Sequence, residues 1–207
     1  MRKLAVRISC LILVLSAAAC AQDFSADLVS TYKQGKPHTS KIYVGNNKMR
    51  VETGEEERTG AAIIDFTNNT ELVVMNQQHM YMQMPLHQMA ESAFTFWRPD
   101  PTDACPQWQK MAATFKNAKE HIVSCRKVGN DIVNGRPAIK YEGTSSDGKT
   151  GNAWIDPKLR DVIKWQGSDG GMELQNIHEG SQPASLFEPP AGYRKFDASQ
   201  SLAHRPQ

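Results

Sequence analysis

Residues 151–167, GNAWIDPKLRDVIKWQG, contain two apolar stretches separated by the polar step Asp156-Pro157-Lys158. Aspartate and proline are typical of tight turns, because proline fixes its own backbone angle and aspartate bonds to nearby backbone. The segment therefore predicts a β-hairpin.

Further hairpins are predicted on both sides of this one in the sequence. Short apolar stretches alternate with turn residues over most of the chain, which is typical of consecutive antiparallel strands. Asn134-Gly135 is the most specific of these signals, since it favours a type I′ turn. The other turns are predicted at Gly45-Asn46-Asn47, Asn68-Asn69 and 76–78. About eleven strands are expected.

The middle of the chain departs from this pattern. Residues 86–94 suit a short helix, and residues 106–120 place Trp108, Met111, Ala112 and Phe115 on one helical face. Helices confined to the middle of a series of hairpins predict a mainly β, α+β fold. We expect a strongly curved antiparallel sheet, or unclosed half-barrel, with one or two helices on its concave face.

The first twenty residues are typical of an export signal. A basic head, containing Arg2, Lys3 and Arg7, precedes a short apolar stretch and then small residues. Two processing sites are consistent with this pattern: cleavage before Cys20, which would then be acylated, or cleavage after Ala21. The signal peptide is therefore 1–19 or 1–21, followed by one domain at 22–197 and a disordered tail at 198–207.

Removing the signal changes the charge balance. The full chain has 24 basic and 22 acidic residues, and the leader carries three of the basic ones. The mature chain is left with 21 against 22, a net charge of −1. This balance gives no indication of a nucleic-acid partner.

Export also bears on the cysteines. Cys10 leaves with the signal, and Cys20 is either removed or acylated, so that Cys105 and Cys125 remain. An even pair in an oxidising compartment predicts a structural disulfide between them.

Methionine is concentrated in one segment, 75–89, which holds five of the nine methionines of the chain. On a strand, Met80, Met82 and Met84 point to one face and His79 to the other. Three interpretations remain open: plain core, an adaptable apolar surface for a ligand, or a copper(I) site. Side chains on one face of a strand are about 7 Å apart, which disfavours chelation of one ion by this strand alone.

No catalytic motif is recognisable. The chain has no Gly-x-Ser-x-Gly elbow, no His-Glu-x-x-His sequence and no glycine-rich phosphate loop. Its six histidines are scattered singly. We therefore expect a non-catalytic protein without catalytic residues, metal ligands or cofactor.

The C-terminal third carries a resemblance to a known family. The Trp-Ile-Asp-Pro step at 154–157 and the ending Phe187, Pro190, Gly192, Tyr193 resemble bacterial envelope proteins of the LolA/LolB-like superfamily. Asp65 and Tyr81 match an Asp-bearing and a Tyr-bearing strand in the middle of uncharacterised relatives. The resemblance implies an unclosed barrel of about eleven strands with a hydrophobic inner face under helices.

In the carriers of that superfamily, this face shields the acyl chains of a lipoprotein, so the resemblance implies a hydrophobic ligand. We expect a lipid or an acylated protein as ligand, and a location in the periplasm or on the periplasmic face of the outer membrane. Cys20 is the candidate membrane anchor. The alternatives are a periplasmic copper(I)-binding protein and a ligand-free structural module. The candidate wall residues are Met80, Met82, Met84, Trp154 and Trp165.

Overall fold

The computed structural model describes residues 23–32, 35–53, 60–86, 99–112 and 122–196. The signal peptide, Cys20 and the tail at 198–207 lie outside the described residues, as do 87–94 of the first predicted helix. The second predicted helix is present as α1 (Cys105–Ala112), and its remainder from 113 is also outside. The strands are β1 (Phe24–Tyr32), β2 (His38–Gly45), β3 (Lys48–Thr53), β4 (Gly60–Asp65), β5 (Thr70–Met75), β6 (Met80–Pro85), β7 (Ile122–Val133), β8 (Arg136–Ser145), β9 (Thr150–Asp156), β10 (Asp161–Gly167), β11 (Gly170–Glu179) and β12 (Arg194–Lys195).

The described strands form a single sheet that does not close on itself. Its order is β12-β6-β5-β4-β3-β2-β1-β11-β10-β9-β8-β7, and every neighbouring pair is antiparallel except β12 with β6. Two meanders, β1–β6 and β7–β11, are thus joined where β1 pairs with β11. The predicted unclosed half-barrel is confirmed, with a two-residue strand, β12, beyond the expected eleven.

Asparagine and glycine form the tight turns, as predicted. Asn134 and Gly135 both have positive φ, at 49° and 76°, which a type I′ turn requires. Asn46, Asn47 and Asn69 also occupy the left-handed region in their hairpins. Asparagine tolerates this conformation better than other residues with a side chain, so these turns cause little strain.

The two faces of the sheet differ in what covers them. We call the face that carries Phe24, Leu28, Val44 and Met49 the core face, because these side chains are buried there. Helix α1 packs near the β7 edge through Trp108, in a buried cluster separate from the one that contains these four residues. The residues that Trp108 joins in this cluster are Tyr141, Ala153, Ile155 and Val162. No helix in the described parts of the chain is long and apolar enough to cross a membrane.

The opposite face, which we call the outer face, is covered in part by the C-terminal segment. Phe187, in a short 3-10 helix (Ala184–Phe187), is 3% exposed and packs on strands β4 and β5. Tyr193 follows Gly192, which has a φ of 83°, and its hydroxyl donates to Asn76 Oδ1 at 3.1 Å. The Phe-x-x-Pro-x-Gly-Tyr ending therefore holds the chain end against the sheet.

The two other positions of the resemblance are structural as well. Asp65 ends β4, and its Oδ1 accepts the backbone N–H groups of Thr67 and Asn68 at 2.9 Å each, which fixes the turn into β5. Tyr81 packs on the outer face in the same cluster as Phe187. Neither residue lies on the core face.

Gly170 is the first residue of β11 and lies where the two meanders pair. Its φ is 151°, and a Cβ atom there would lie 2.2 Å from the carbonyl oxygen of Thr31 on β1. We expect Gly170→Ala to lower the free energy of unfolding by about 2 kcal/mol, because backbone strain adds to a clash with main-chain atoms. Urea denaturation of both proteins measures this.

Gly129→Ala is the matched control, because Gly129 has nearly the same backbone angle, 152°, with nothing within 4 Å of its Cβ position. The control isolates the cost of the conformation from the cost of the clash. Equal destabilisation of the two variants would contradict the role given to the contact with Thr31.

Candidate functional site

The methionine row lies on the core face. Met80, Met82 and Met84 on β6 are all half-buried, while Gln83 between them points to the outer face and is exposed. Their cross-strand partners on β5 are Met75, Val73 and Glu71, in the same order. The predicted alternation along this strand is therefore present.

The methionine row forms the β6 end of an apolar surface that crosses six strands. Successive cross-strand pairs connect Met84 on β6 to Phe24 on β1, and Met82 to Ala26. Cross-strand partners share a face of the sheet, so these residues form continuous rows. The first row is Met84, Glu71, Ile64, Met49, Val44 and Phe24; the second is Met82, Val73, Ala62, Val51, Ile42 and Ala26.

Burial decreases along these rows toward β6. Phe24, Val44 and Met49 are fully buried, whereas Val73 and Met82 are half-buried. An apolar surface that remains partly open can accept a ligand that covers it. The β5–β6 end of the core face is therefore the candidate site.

Trp165 packs against the cluster that contains Trp108 and lines a small cavity of about 190 Å³. Its indole ring extends over Gly151 and Gly167, whose missing side chains leave room for it: a Cβ at Gly167 would be 2.7 Å from the ring. Trp108 of α1 is also among the residues that line this cavity. Six strands separate β10 from β6 in the sheet order, so this cavity is not next to the methionine row along the sheet.

Trp154 and Trp165 point to opposite sides of the β9–β10 hairpin. Trp154 pairs with Lys164 and Lys140, and the amines of both lysines lie over its ring, 5.4 and 4.9 Å from the ring centre. Its indole N–H donates to Asp131 Oδ2 at 2.8 Å, and this hydrogen bond lowers the pKa of Asp131. Trp154 is 7% exposed and belongs to the buried cluster that also contains Phe24, Val44 and Met49, so it packs against the core of β1–β3.

A β-bulge explains this difference between the two tryptophans. In a regular hairpin that begins with the pair Asp156 and Asp161, Trp165 would pair with Asn152 and share the face of Trp154. The irregularity between Val162 and Lys164 shifts the register by one residue, so Trp165 pairs with Ala153 instead. One extra residue in a strand moves all later side chains to the opposite face.

Glu71 is the residue that the sequence analysis missed. It is 0% exposed on the core face, in the row between Ile64 and Met84, and neither carboxyl oxygen has a hydrogen-bond partner among the described residues. Burial raises its pKa. The sequence carried a signal for it, because in TELVVM (70–75) Glu71 alternates with Val73 and Met75, which share its face.

The described candidates for metal ligands are spread along β5, β6 and the turn between them. His79 lies in the turn before β6, with a φ of 50°, and its ring contacts that of Tyr193 at 5.3 Å. Met75 pairs directly with Met80 on the core face. His87 and Met89 are outside the described residues, within which no three His, Cys, Asp or Glu side chains form a possible metal site.

The predicted disulfide is present. Cys105 at the start of α1 is bonded to Cys125 on β7, with Cα atoms 5.5 Å apart. Cys125 pairs with Gly143 and packs against the cluster that contains Trp108. The bond holds α1 against the β7 edge of the sheet.

Comparison with known proteins supports the fold and leaves the function open. No family model matches the chain, and no curated protein matches its sequence. An uncharacterized conserved protein from Thermus thermophilus has a similar structure, with a TM-score of 0.53 and 11% identity over 86% of this chain and 91% of that one. At this identity, the likeness establishes a shared fold only.

Two further solved structures are similar at TM-scores below 0.5, which is too low to establish a shared fold by itself. A LolA superfamily protein from Nitrosomonas europaea has a TM-score of 0.33 and 10% identity, over 81% of this chain and 90% of that one. MucB from Pseudomonas aeruginosa, in complex with MucA, has a TM-score of 0.40 and 13% identity, over 84% of this chain and 58% of that one. The architecture itself, one unclosed sheet of mostly antiparallel strands with a helix packed on it, agrees with the unclosed, helix-covered barrel that the resemblance implied.

Proposed function

We propose that this chain is an exported envelope protein that reversibly binds a hydrophobic ligand, a lipid or an acylated protein, on the core face of its half-barrel. The half-buried apolar surface at the β5–β6 end, continuous with the fully buried core of β1–β3, is the observation that carries this proposal. No bond is made or broken. The proposal places the protein in the periplasm or on the periplasmic face of the outer membrane, with Cys20 as the anchor if it is acylated.

The physical basis of binding is burial of apolar area. Each Å² removed from water contributes about 25 cal/mol, so a ligand that covers several hundred Å² gains several kcal/mol before its loss of freedom is counted. Methionine suits such a wall, since its flexible, polarizable side chain fits ligands of different shapes. Met80, Met82 and Met84 are therefore the central wall residues. Trp165 contributes a separate, smaller cavity.

Native mass spectrometry tests this proposal directly. The full-length Cys20→Ser chain, which cannot be acylated there, would be exported to a bacterial periplasm, purified without detergent, and weighed before and after anaerobic copper(I). We expect adducts of lipid mass before copper is added. A bare mass in both measurements would contradict ligand binding and favour the structural module, and a copper adduct without lipid would favour the metal site.

Variants of the methionine row then locate the ligand. We expect the triple change of Met80, Met82 and Met84 to glutamine to weaken binding of a fluorescent C18 fatty acid about tenfold or more, because amide groups retain water on the wall. The triple change to leucine keeps the apolar area and should retain fatty-acid binding while removing thioether ligands for copper(I). Fluorescence titration measures all three proteins.

Ile132→Gln is the control for a change of polarity elsewhere, since Ile132 is 72% exposed on β7. It should leave fatty-acid affinity unchanged. Equal affinity of the wild type and the glutamine triple variant would show that the ligand does not lie on the methionine row.

A further inference from the structure

We propose that Glu71 is the polar recognition group of this apolar surface, and that its protonated carboxyl donates a hydrogen bond to a carbonyl oxygen of the bound acyl ester or amide. This inference rests on the proposed function and names the chemical group that the site recognises. It separates an acyl compound from a plain hydrocarbon of the same length.

The position of Glu71 is the first argument. The side chain lies in the row that runs from Met84 to Phe24, in which every other member is apolar. Both carboxyl oxygens are buried and accept no hydrogen bond from any described residue. A buried polar group without a partner destabilises a fold, so packing alone does not account for a carboxyl at this position.

The surroundings of the carboxyl decide its charge. On the core face, β4 presents Ala62 and Ile64 to it, and β6 presents Met82 and Met84; none of these side chains titrates. Met49 is the next member of the row on β3. The described parts of β3 to β6 therefore place no cation on this face to hold Glu71 ionised. Burial raises its pKa, so the neutral acid, with one O–H donor, is favoured.

A ligand has a route to this donor along β6. Met84 is the direct cross-strand neighbour of Glu71 and is half-buried, and its side chain has three rotatable bonds. Rotation of Met84 uncovers the carboxyl from the half-buried end of the core face. The acyl chain then lies along Met80, Met82 and Val73, with its carbonyl group beside Glu71.

The test compares three probes of equal chain length: methyl palmitate, hexadecane and hexadecylamine. Each is measured by competition against the fluorescent fatty acid, with the wild type, Glu71→Gln and Glu71→Leu. We expect Glu71→Leu to weaken binding of the ester about tenfold and to leave hexadecane unchanged. Glu71→Gln keeps an N–H donor in the same place and should retain most of the affinity for the ester.

The pH dependence gives a second readout. The raised pKa means that the acid loses its proton, and with it the donor, as pH rises through the folded-state value. Binding of the ester by the wild type should therefore weaken over that range, while binding by Glu71→Gln stays constant. Glu71→Leu should also fold, with a higher urea midpoint than the wild type, because an apolar side chain replaces an unpartnered buried carboxyl.

Any of the following results would overturn the inference. An equal loss of ester and hexadecane would show a change of shape only, and no loss of either would place the ligand away from Glu71. Preferential binding of hexadecylamine, abolished in Glu71→Gln, would assign the site to a cationic ligand. Failure of the wild type to bind any probe would overturn the proposed function itself.

Discussion

Replacing Arg136 with leucine is expected to lower the free energy of unfolding by about 3 kcal/mol. The guanidinium connects two carboxylates at the end of the sheet where β8, β9 and β11 meet: Nε lies 2.6 Å from Asp156 Oδ2, and Nη2 lies 2.6 Å from Glu179 Oε1. Asp156 is 1% exposed, so the variant leaves a buried charge without its cation. Urea denaturation measures the difference.

Arg126→Leu is the matched control on the same hairpin. Arg126 pairs with Glu142 at 2.7 Å, but its side chain is 65% exposed. An ion pair in water contributes about 0–1 kcal/mol, so this variant should be close to the wild type in stability. Similar losses in the two variants would contradict the argument that burial of Asp156 makes the difference.

The stability that the Arg136 cluster contributes depends on pH through Glu179. Hydrogen bonds from Lys158 and then from Arg136 lower the pKa of Glu179. Its contribution to stability is therefore fully present above the unfolded-state pKa, about 4.3, and is lost as pH falls through the lowered folded-state value. The stability gap between the wild type and Arg136→Leu should accordingly narrow below about pH 4.

Removing the disulfide by changing Cys105 and Cys125 to serine is expected to lower the free energy of unfolding by about 3 kcal/mol. The two residues are 20 positions apart, and the bond restricts the unfolded chain over that loop. It also holds α1 in place, so Trp108, which is 2% exposed, should become more accessible in the variant. Denaturation in urea and quenching of tryptophan emission by iodide measure the two effects.

Reductant supplies the control for this experiment. Dithiothreitol should destabilise the wild type to a similar extent and leave the serine variant unchanged, since the variant has no bond to reduce. A loss below about 1 kcal/mol, with unchanged quenching, would show that α1 stays docked without the bond.

Local signals predicted the hairpins, and the structure shows why they were sufficient. A turn such as Asn134-Gly135 acts through the backbone angles of its own two residues, so its sequence is informative without the rest of the chain. The helix with Trp108 was also predicted from nearby residues, whereas the Cys105–Cys125 pair was predicted from the export signal and the number of cysteines that remain after its removal. The order of hairpins and helices indicated a strongly curved or open sheet, and the resemblance implied the same unclosed barrel.

Two features of the candidate site depend on register and were beyond the sequence patterns. The face of Trp165 depends on the bulge after Val162, and no residue type in that strand marks a bulge. The environment of Glu71 depends on its pairing with both Ile64 and Met84. A glutamate in a strand commonly faces water, so its burial becomes visible only when both neighbouring strands are in place.

The pairing of β1 with β11 has a consequence for the order in which the protein folds. Asn176 Nδ2 donates to Asp27 Oδ2 at 2.7 Å across 149 positions of sequence, so the first strand meets its second neighbour only when the last long strand is available. Until then, one edge of β1 remains unpaired, a state in which strands associate with other chains. Because a chain is synthesised from its N-terminus, β1–β6 is complete before the other meander exists. Such non-local closure makes folding slow, and protection of that edge until β11 pairs with it becomes a requirement of this topology.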